Sequence, residues 1–195
     1  LKPDFDLTAL QAGNRAEFAR FVEAYSGQVY RLAIKMLQNP QDAEDILQET
    51  FIKAYKALPN FEGRSSLSTW LYRIATNEAL MFLRKKRPVQ VSVDEPLEND
   101  EGDERPRQII DWCCLPENEL MSTEARANLD RSVQQLPETL RTVFLLRDIE
   151  GLSTRETAEV LDISESAVKT RLSRARFRLR EYLSVYYAER IADTV

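Results

Sequence analysis

Apolar residues recur at three- and four-residue intervals along most of the chain, the spacing that places them on one face of a helix. Leu7, Leu10, Phe18, Phe21 and Val22 predict a helix over about 6–25, and a second over 29–37 stops at Asn39-Pro40. Pro40 suits the first position of the next helix, with Asn39 as its N-cap and Asp42 in its first turn. That helix runs to about Leu58, before Pro59-Asn60. A loop over 59–66 containing Gly63 leads into a fourth helix over about 67–86. Residues 88–115 hold Pro88, Pro96, Pro106 and clustered acids with little periodicity, and read as an extended or disordered linker. Helical signals resume near Pro116-Glu117 and continue to about Ala188. Strand alternation is absent, so the expected fold is all-α. Two small helical domains (1–88 and 116–195) are joined by a flexible acidic linker (89–115).

The second domain carries the sharper pattern. Residues 138–148 predict one helix and Glu150-Gly151-Leu152 a turn. Ser153-Thr154-Arg155-Glu156 forms a capping box that opens a short helix ending near Leu161. Asp162-Ile163-Ser164 is the next turn, with Ser164 or Asp162 placed to cap the last helix. A short helix, a tight turn and a longer basic helix make a helix-turn-helix arrangement. At about 100° per residue, Val168, Leu172, Ala175 and Leu179 fall on one narrow core stripe. Ser166, Thr170, Ser173 and Phe177 lie opposite, with Lys169 and Arg174 beside them. Arg171, Arg176 and Arg178 flank the stripe, within reach of phosphates. Short hydrogen-bonding side chains beside cations suit a major groove, where base edges specify and cations position. A solvated amphipathic helix has a similar composition; the capped helix and turn before it favour DNA.

Two faces of the first domain depart from a plain core-and-solvent division. In the third helix Ala43, Leu47, Phe51, Ala54 and Leu58 form the expected core, and Asp45, Gln48, Glu49 and Lys56 point away from it. Ile52 points the same way as those charges, which suits either a protein partner or a scattered surface apolar residue. In the fourth helix Leu67, Leu71, Ile74, Ala75 and Phe82 are the expected core. Trp70, Arg73, Asn77, Leu80 and Arg84 share the opposite half. Aromatic, amide and guanidinium groups on one face suit stacking on unpaired bases and gripping a backbone. Trp70 packed into the core, and a basic block at Arg84–Arg87 that complements a helix C-terminus, are the alternatives.

Composition narrows the function classes. The chain has no histidine, which removes Ser-His-Asp and Cys-His catalysis and imidazole metal ligation. Cys113 and Cys114 are adjacent, a poor geometry for an unstrained disulfide and too few ligands for zinc. No catalytic residue, metal site or cofactor is therefore expected. No apolar run nears the roughly 18–20 residues of a membrane span. The opening Leu1-Lys2-Pro3-Asp4 lacks the apolar core of a signal peptide. No membrane insertion and a cytoplasmic location are expected. The net charge of −5 conceals a division: Pro88 to Asp130 holds twelve acids and three arginines, leaving the remainder at +4. Its cations concentrate at Arg84-Lys85-Lys86-Arg87 and between Ser164 and Tyr182, two basic sites either side of an acidic connector.

Several stretches resemble one family in register. Asp42-Ala43-Glu44-Asp45-Ile46-Leu47-Gln48-Glu49-Thr50-Phe51-Ile52-Lys53-Ala54-Tyr55 is similar to the core-polymerase-binding part of sigma region 2. Ser68-Thr69-Trp70-Leu71-Tyr72-Arg73-Ile74-Ala75-Thr76-Asn77 is similar to the part that melts and reads the −10 element. Leu136-Pro137-Glu138 through Ala167-Val168-Lys169-Thr170-Arg171-Leu172-Ser173-Arg174-Ala175-Arg176 resembles sigma region 4. Together these resemble the extracytoplasmic-function sigma factors of bacteria, which lack regions 1.1 and 3.

The resemblance implies a region 2 bundle and a region 4 helix-turn-helix that bind core RNA polymerase and direct it to promoters. Asp45, Gln48, Glu49 and Ile52 would dock on the β′ coiled coil. Asn60, Phe61, Arg64, Ser68, Trp70, Arg73, Asn77 and Arg84 would read the −10 element, with the loop from Asn60 to Ser68 holding a flipped base. Ser166, Lys169, Thr170, Arg171, Ser173 and Arg174 would read the −35 element, and the end of the second domain would meet the β flap. Control by an anti-sigma factor is also implied. Promoter elements about two turns apart lie roughly 70 Å apart. The linker must then be held extended, with Asp94 to Glu104 expected in the polymerase's positively charged RNA path. Cys113-Cys114 matches no motif of the family. The competing readings are a helix-turn-helix regulator that binds duplex DNA without polymerase, and an adaptor that mainly contacts protein.

Overall fold

The computed structural model describes the backbone of residues 4–86 and 123–192, with the side chains of 4–86 and 127–184. The predicted linker, Cys113, Cys114 and the predicted helical onset at Pro116 lie outside them. The N-terminal helices are α1 (Leu7–Gln11), α2 (Arg15–Leu37), α3 (Pro40–Ala57) and α4 (Leu67–Lys86), with a 3-10 turn at Leu58–Asn60. The C-terminal helices are α5 (Thr123–Gln135), α6 (Glu138–Phe144), α7 (Thr154–Leu161) and α8 (Glu165–Ala192).

The predicted first helix is two. Gly13 takes a left-handed φ of +75°, which glycine adopts without a Cβ clash, and Asn14 then caps α2 by accepting from the Ala16 and Glu17 amides. The predicted break near Ser26-Gly27 does not occur. Tyr25 and Val29 are buried on either side of it, and their packing outweighs the roughly 1 kcal/mol that glycine costs inside a helix. The start of α3 is as predicted, with Asn39 accepting from Gln41 and Asp42 and Pro40 in first place. Its buried stripe is turned from the predicted one. Ile46 and Thr50 are buried and Leu47 only half so, because α2 and α4 both pack on α3. Phe21, Val29, Leu32, Phe51 and Leu71 lie in the core these three helices enclose.

In the C-terminal half the predicted helix over 138–148 is helical throughout but changes gauge. After α6 a π-type turn, Leu145–Ile149, widens the coil, and the Glu150 amide donates to the Leu145 carbonyl at 2.9 Å. Val143, Leu146, Val160, Val168 and Ala175 fill the core between α6, α7 and α8. The two halves are packed together. α7 lies on α4, the π turn touches α2, and one continuous apolar cluster runs through both. At the edge, Lys35 pairs with Asp130 at 2.9 Å, and Gln134 donates to the Lys35 carbonyl at 2.7 Å.

Candidate nucleic-acid interface

The outer face of α3 presents Asp45, Gln48 and Ile52 to solvent, with Glu49 half-buried beside them. Ile52 is 47% exposed, an apolar side chain held out among charges. Next to this face a groove of about 320 Å³ runs between α3 and α4, lined in part by Asp45, Glu49, Lys53, Glu78, Met81 and Lys85. Lys53 bridges its walls, 2.6 Å from Glu78 and 3.5 Å from Glu49. The hydrogen bond that Lys53 donates to Glu78 is the main cause that raises the Lys53 pKa, so the ammonium stays charged. Sequence reading reached the α3 face but not the α4 wall. The available signal was Met81, an apolar residue off the core stripe, which is 43% exposed.

The loop before α4 is built by short polar residues. Gly63 has φ +70°, and Ser66 caps α4 by accepting from the Thr69 amide at 3.1 Å. Ser68 is half-buried, its hydroxyl 2.9 Å from that of Ser66. Asn60 and Arg64 are exposed, Arg64 paired with Glu62. Phe61 departs from expectation. It is 8% exposed and its ring lies 5.0 Å from that of half-buried Trp70, so it props the indole from beneath rather than facing outward. Beyond Trp70, Arg73, Asn77 and Arg84 line one exposed stripe of α4. An exposed row of two guanidinium groups and an amide therefore continues from the loop that offers polar hydrogen-bonding groups.

The helix-turn-helix follows its sequence pattern closely. Ser153 accepts from the Glu156 amide at 3.1 Å, and the Glu156 carboxylate accepts from the Ser153 amide at 2.8 Å. Asp162 ends α7 in a left-handed conformation, and Ser164 caps α8 by accepting from the Ala167 amide. Val168, Leu172, Ala175 and Leu179 are buried as predicted. Ser166, Lys169, Thr170, Ser173 and Arg174 are exposed together on the outward side, and Arg171 is half-buried at its flank. Arg176, which the sequence places within reach of phosphates, is held by Asp148 through two bonds of 2.8 and 2.7 Å. That carboxylate raises the arginine's pKa and braces α8 against the π turn.

A third set escaped the sequence reading. Thr69, Tyr72 and Thr76 are buried on α4, under the C-terminal half. The Tyr72 phenol donates to Glu150 at 2.6 Å, with the Gln28 amide oxygen 3.2 Å away, and the Thr69 hydroxyl donates to Glu156 at 3.4 Å. Their spacing marks a second half-polar stripe, but nothing local identifies a partner about 80 residues on.

Among the described residues no helix is long and apolar enough to cross a membrane, and no group of three or more Cys, Asp or Glu is placed to hold a metal. Residues 21–89 match the family model for sigma-70 region 2, and residues 126–179 that for sigma-70, region 4. The chain is 38% identical over 174 residues to the ECF RNA polymerase sigma factor SigW of Bacillus subtilis, covering 89% of this chain and 92% of the relative. It is 39% identical over 170 residues to the RNA polymerase sigma-H factor of Pseudomonas aeruginosa, with 86% of each covered. Among solved structures it resembles the sigma factor RpoE of Bartonella quintana, crystallised with the anti-sigma factor NepR. There the TM-score is 0.62 at 26% identity, over 86% of this chain and 97% of that one. The fold also matches CnrH in complex with the cytosolic domain of CnrY, with a TM-score of 0.66 at 24% identity, over 92% of this chain and 95% of that one. Two sigma domains in order, and relatives alike over nearly their whole length, place the chain in one group: it belongs to the extracytoplasmic-function sigma factors, which direct RNA polymerase to promoters.

Proposed function

We propose that this chain binds core RNA polymerase through the α3 face of Asp45, Gln48, Glu49 and Ile52, docking on the β′ coiled coil. The loop residues Asn60, Arg64 and Ser68, with Trp70, Arg73, Asn77 and Arg84, take the opened −10 strand, and Phe61 supports Trp70. Ser166, Lys169, Thr170, Arg171, Ser173 and Arg174 read the −35 element as duplex, and the end of α8 meets the β flap. The observation that supports this most is the outward row on α8, where short hydrogen-bonding groups and cations sit together on a capped helix-turn-helix. The work is binding and strand separation in the cytoplasm, with no catalytic group or cofactor assigned. Anti-sigma control fits the same surfaces: the groove between α3 and α4 offers a partner helix a charged rim around exposed Met81.

The decisive test is transcription with purified core polymerase over a library of promoter fragments, with and without the chain. Start sites that appear only with the chain and share two spaced elements are the expected outcome. Tight duplex binding by the chain alone, with no chain-dependent transcripts, would replace this reading with that of a polymerase-independent regulator.

A further inference from the structure

The loop proposed to take the opened −10 strand is a short free arc between two fastened ends. Glu62, Gly63 and Arg64 are exposed in a row, and a Cβ built on Gly63 meets nothing within 4 Å. At the far end Ser66 caps α4, a tie made within three residues. The near end is Phe61, and its tie comes from 50 positions away: the Gln11 side-chain amide donates to the Phe61 carbonyl at 2.8 Å. The Phe61 amide donates to the Leu58 carbonyl at 3.0 Å, so both backbone polar groups of this residue are engaged.

The placement of Gln11 follows from α1. Asp6 caps that helix by accepting from the Ala9 amide, and the Asp6 amide donates to Glu17 on α2. Leu10 is buried in the core, which fixes how α1 is turned. Successive helical residues point about 100° apart, so with Leu10 inward Gln11 emerges beside it, at the 3-10 turn that α1 touches. Without this donor a part-buried carbonyl has lost water and gained no partner, which favours movement of Phe61 toward solvent. Phe61 is also the support of Trp70, its ring 5.0 Å away and inclined at 50°. Gln11, Phe61 and Trp70 thus form a continuous line from α1 to the start of the exposed row on α4.

We propose that Gln11 is a positioning residue for −10 strand capture, holding the near end of the loop and, through Phe61, the Trp70 indole in the arrangement that receives the strand. This rests on the −10 role proposed above for the loop and Trp70.

Two measurements test it, each on Gln11→Leu, which removes the donor, and on Gln11→Glu, which keeps the shape but whose carboxylate only accepts. The first is acrylamide quenching of Trp70 in the full free chain, with Trp112→Phe to leave Trp70 as the sole indole. Both variants should show faster quenching than the parent. The second is titration of a promoter by holoenzyme, with 2-aminopurine replacing adenines of the −10 non-template strand and brightening as a base leaves the stack. Loss of one hydrogen bond should weaken this capture about fivefold, with affinity for core polymerase unchanged. Asn39→Ala, which removes the α3 cap far along the chain from the loop, serves as the matched loss of stability and should move neither readout. If one Gln11 variant does not fold, the other carries the test. Readouts equal to the parent in the Gln11 variants overturn the proposal, as does an Asn39→Ala effect as large as theirs. Failure of the −10 role itself looks different: the parent holoenzyme gives no 2-aminopurine signal while Gln11→Leu still unmasks Trp70, and the capture claim falls with that role.

Discussion

Tyr72 joins the two halves of the molecule with a side chain only 5% exposed. Burial is the larger cause that raises its pKa above the ordinary phenol value of 10.0, and Glu150 adds to it. A raised pKa in the fold means that the native state holds this proton more tightly than the unfolded chain. The stability it contributes is present below about pH 10 and falls as pH rises above it. Urea midpoints should therefore drop between about pH 9 and about pH 11, and Tyr72→Phe should lessen that drop. A parent and variant with equal alkaline sensitivity would refute the assignment. Ile52 gives a complementary case. It is exposed and supports no core, so Ile52→Glu should change folding stability by less than about 0.5 kcal/mol while weakening polymerase binding at least tenfold in a fluorescence titration. Ile52 was legible in the sequence because one helix's periodicity places it. Tyr72 was not, because its partner is 78 positions away and periodicity speaks only for neighbours on one helix.

Among the elements, caps and turns read best. Asn39-Pro40, the Ser153 box and the α8 stripe were legible because each is decided within four residues. The course of α2 was not, because burial of Tyr25 and Val29 on core helices overrides a local glycine. The continuity of α2 is testable there. Gly27 is exposed, and a Cβ built on it comes no nearer than 3.6 Å to the Arg31 guanidinium. Gly27→Ala should stabilise the chain by about 0.5–1 kcal/mol in denaturant unfolding; a loss would mean that the helix breaks there in solution. For α8, Lys169→Ala should weaken binding of the polymerase complex to −35 duplex. If Lys169 contacts a phosphate, the slope of log K against log salt should also fall by about 0.9. An unchanged slope with lost sequence preference would assign Lys169 to a base edge instead.

The whole molecule behaves as more than two domains on a string. One apolar cluster passes from α2 and α4 into the C-terminal helices, and polar latches close its margins. The wild-type chain should unfold in one calorimetric transition, and Glu150→Ala in two. Two transitions in both would show that the halves melt independently. This contact was beyond the sequence, since composition and motifs describe each half separately and neither carries a signal for the other. Because both halves belong to one chain, the balance between packed and parted forms is unimolecular. Synthesising more of the protein raises the number of parted molecules in proportion but leaves the parted fraction unchanged. A separate partner is titrated away as the chain accumulates; a tethered half, present at an effective concentration on the order of millimolar, never is.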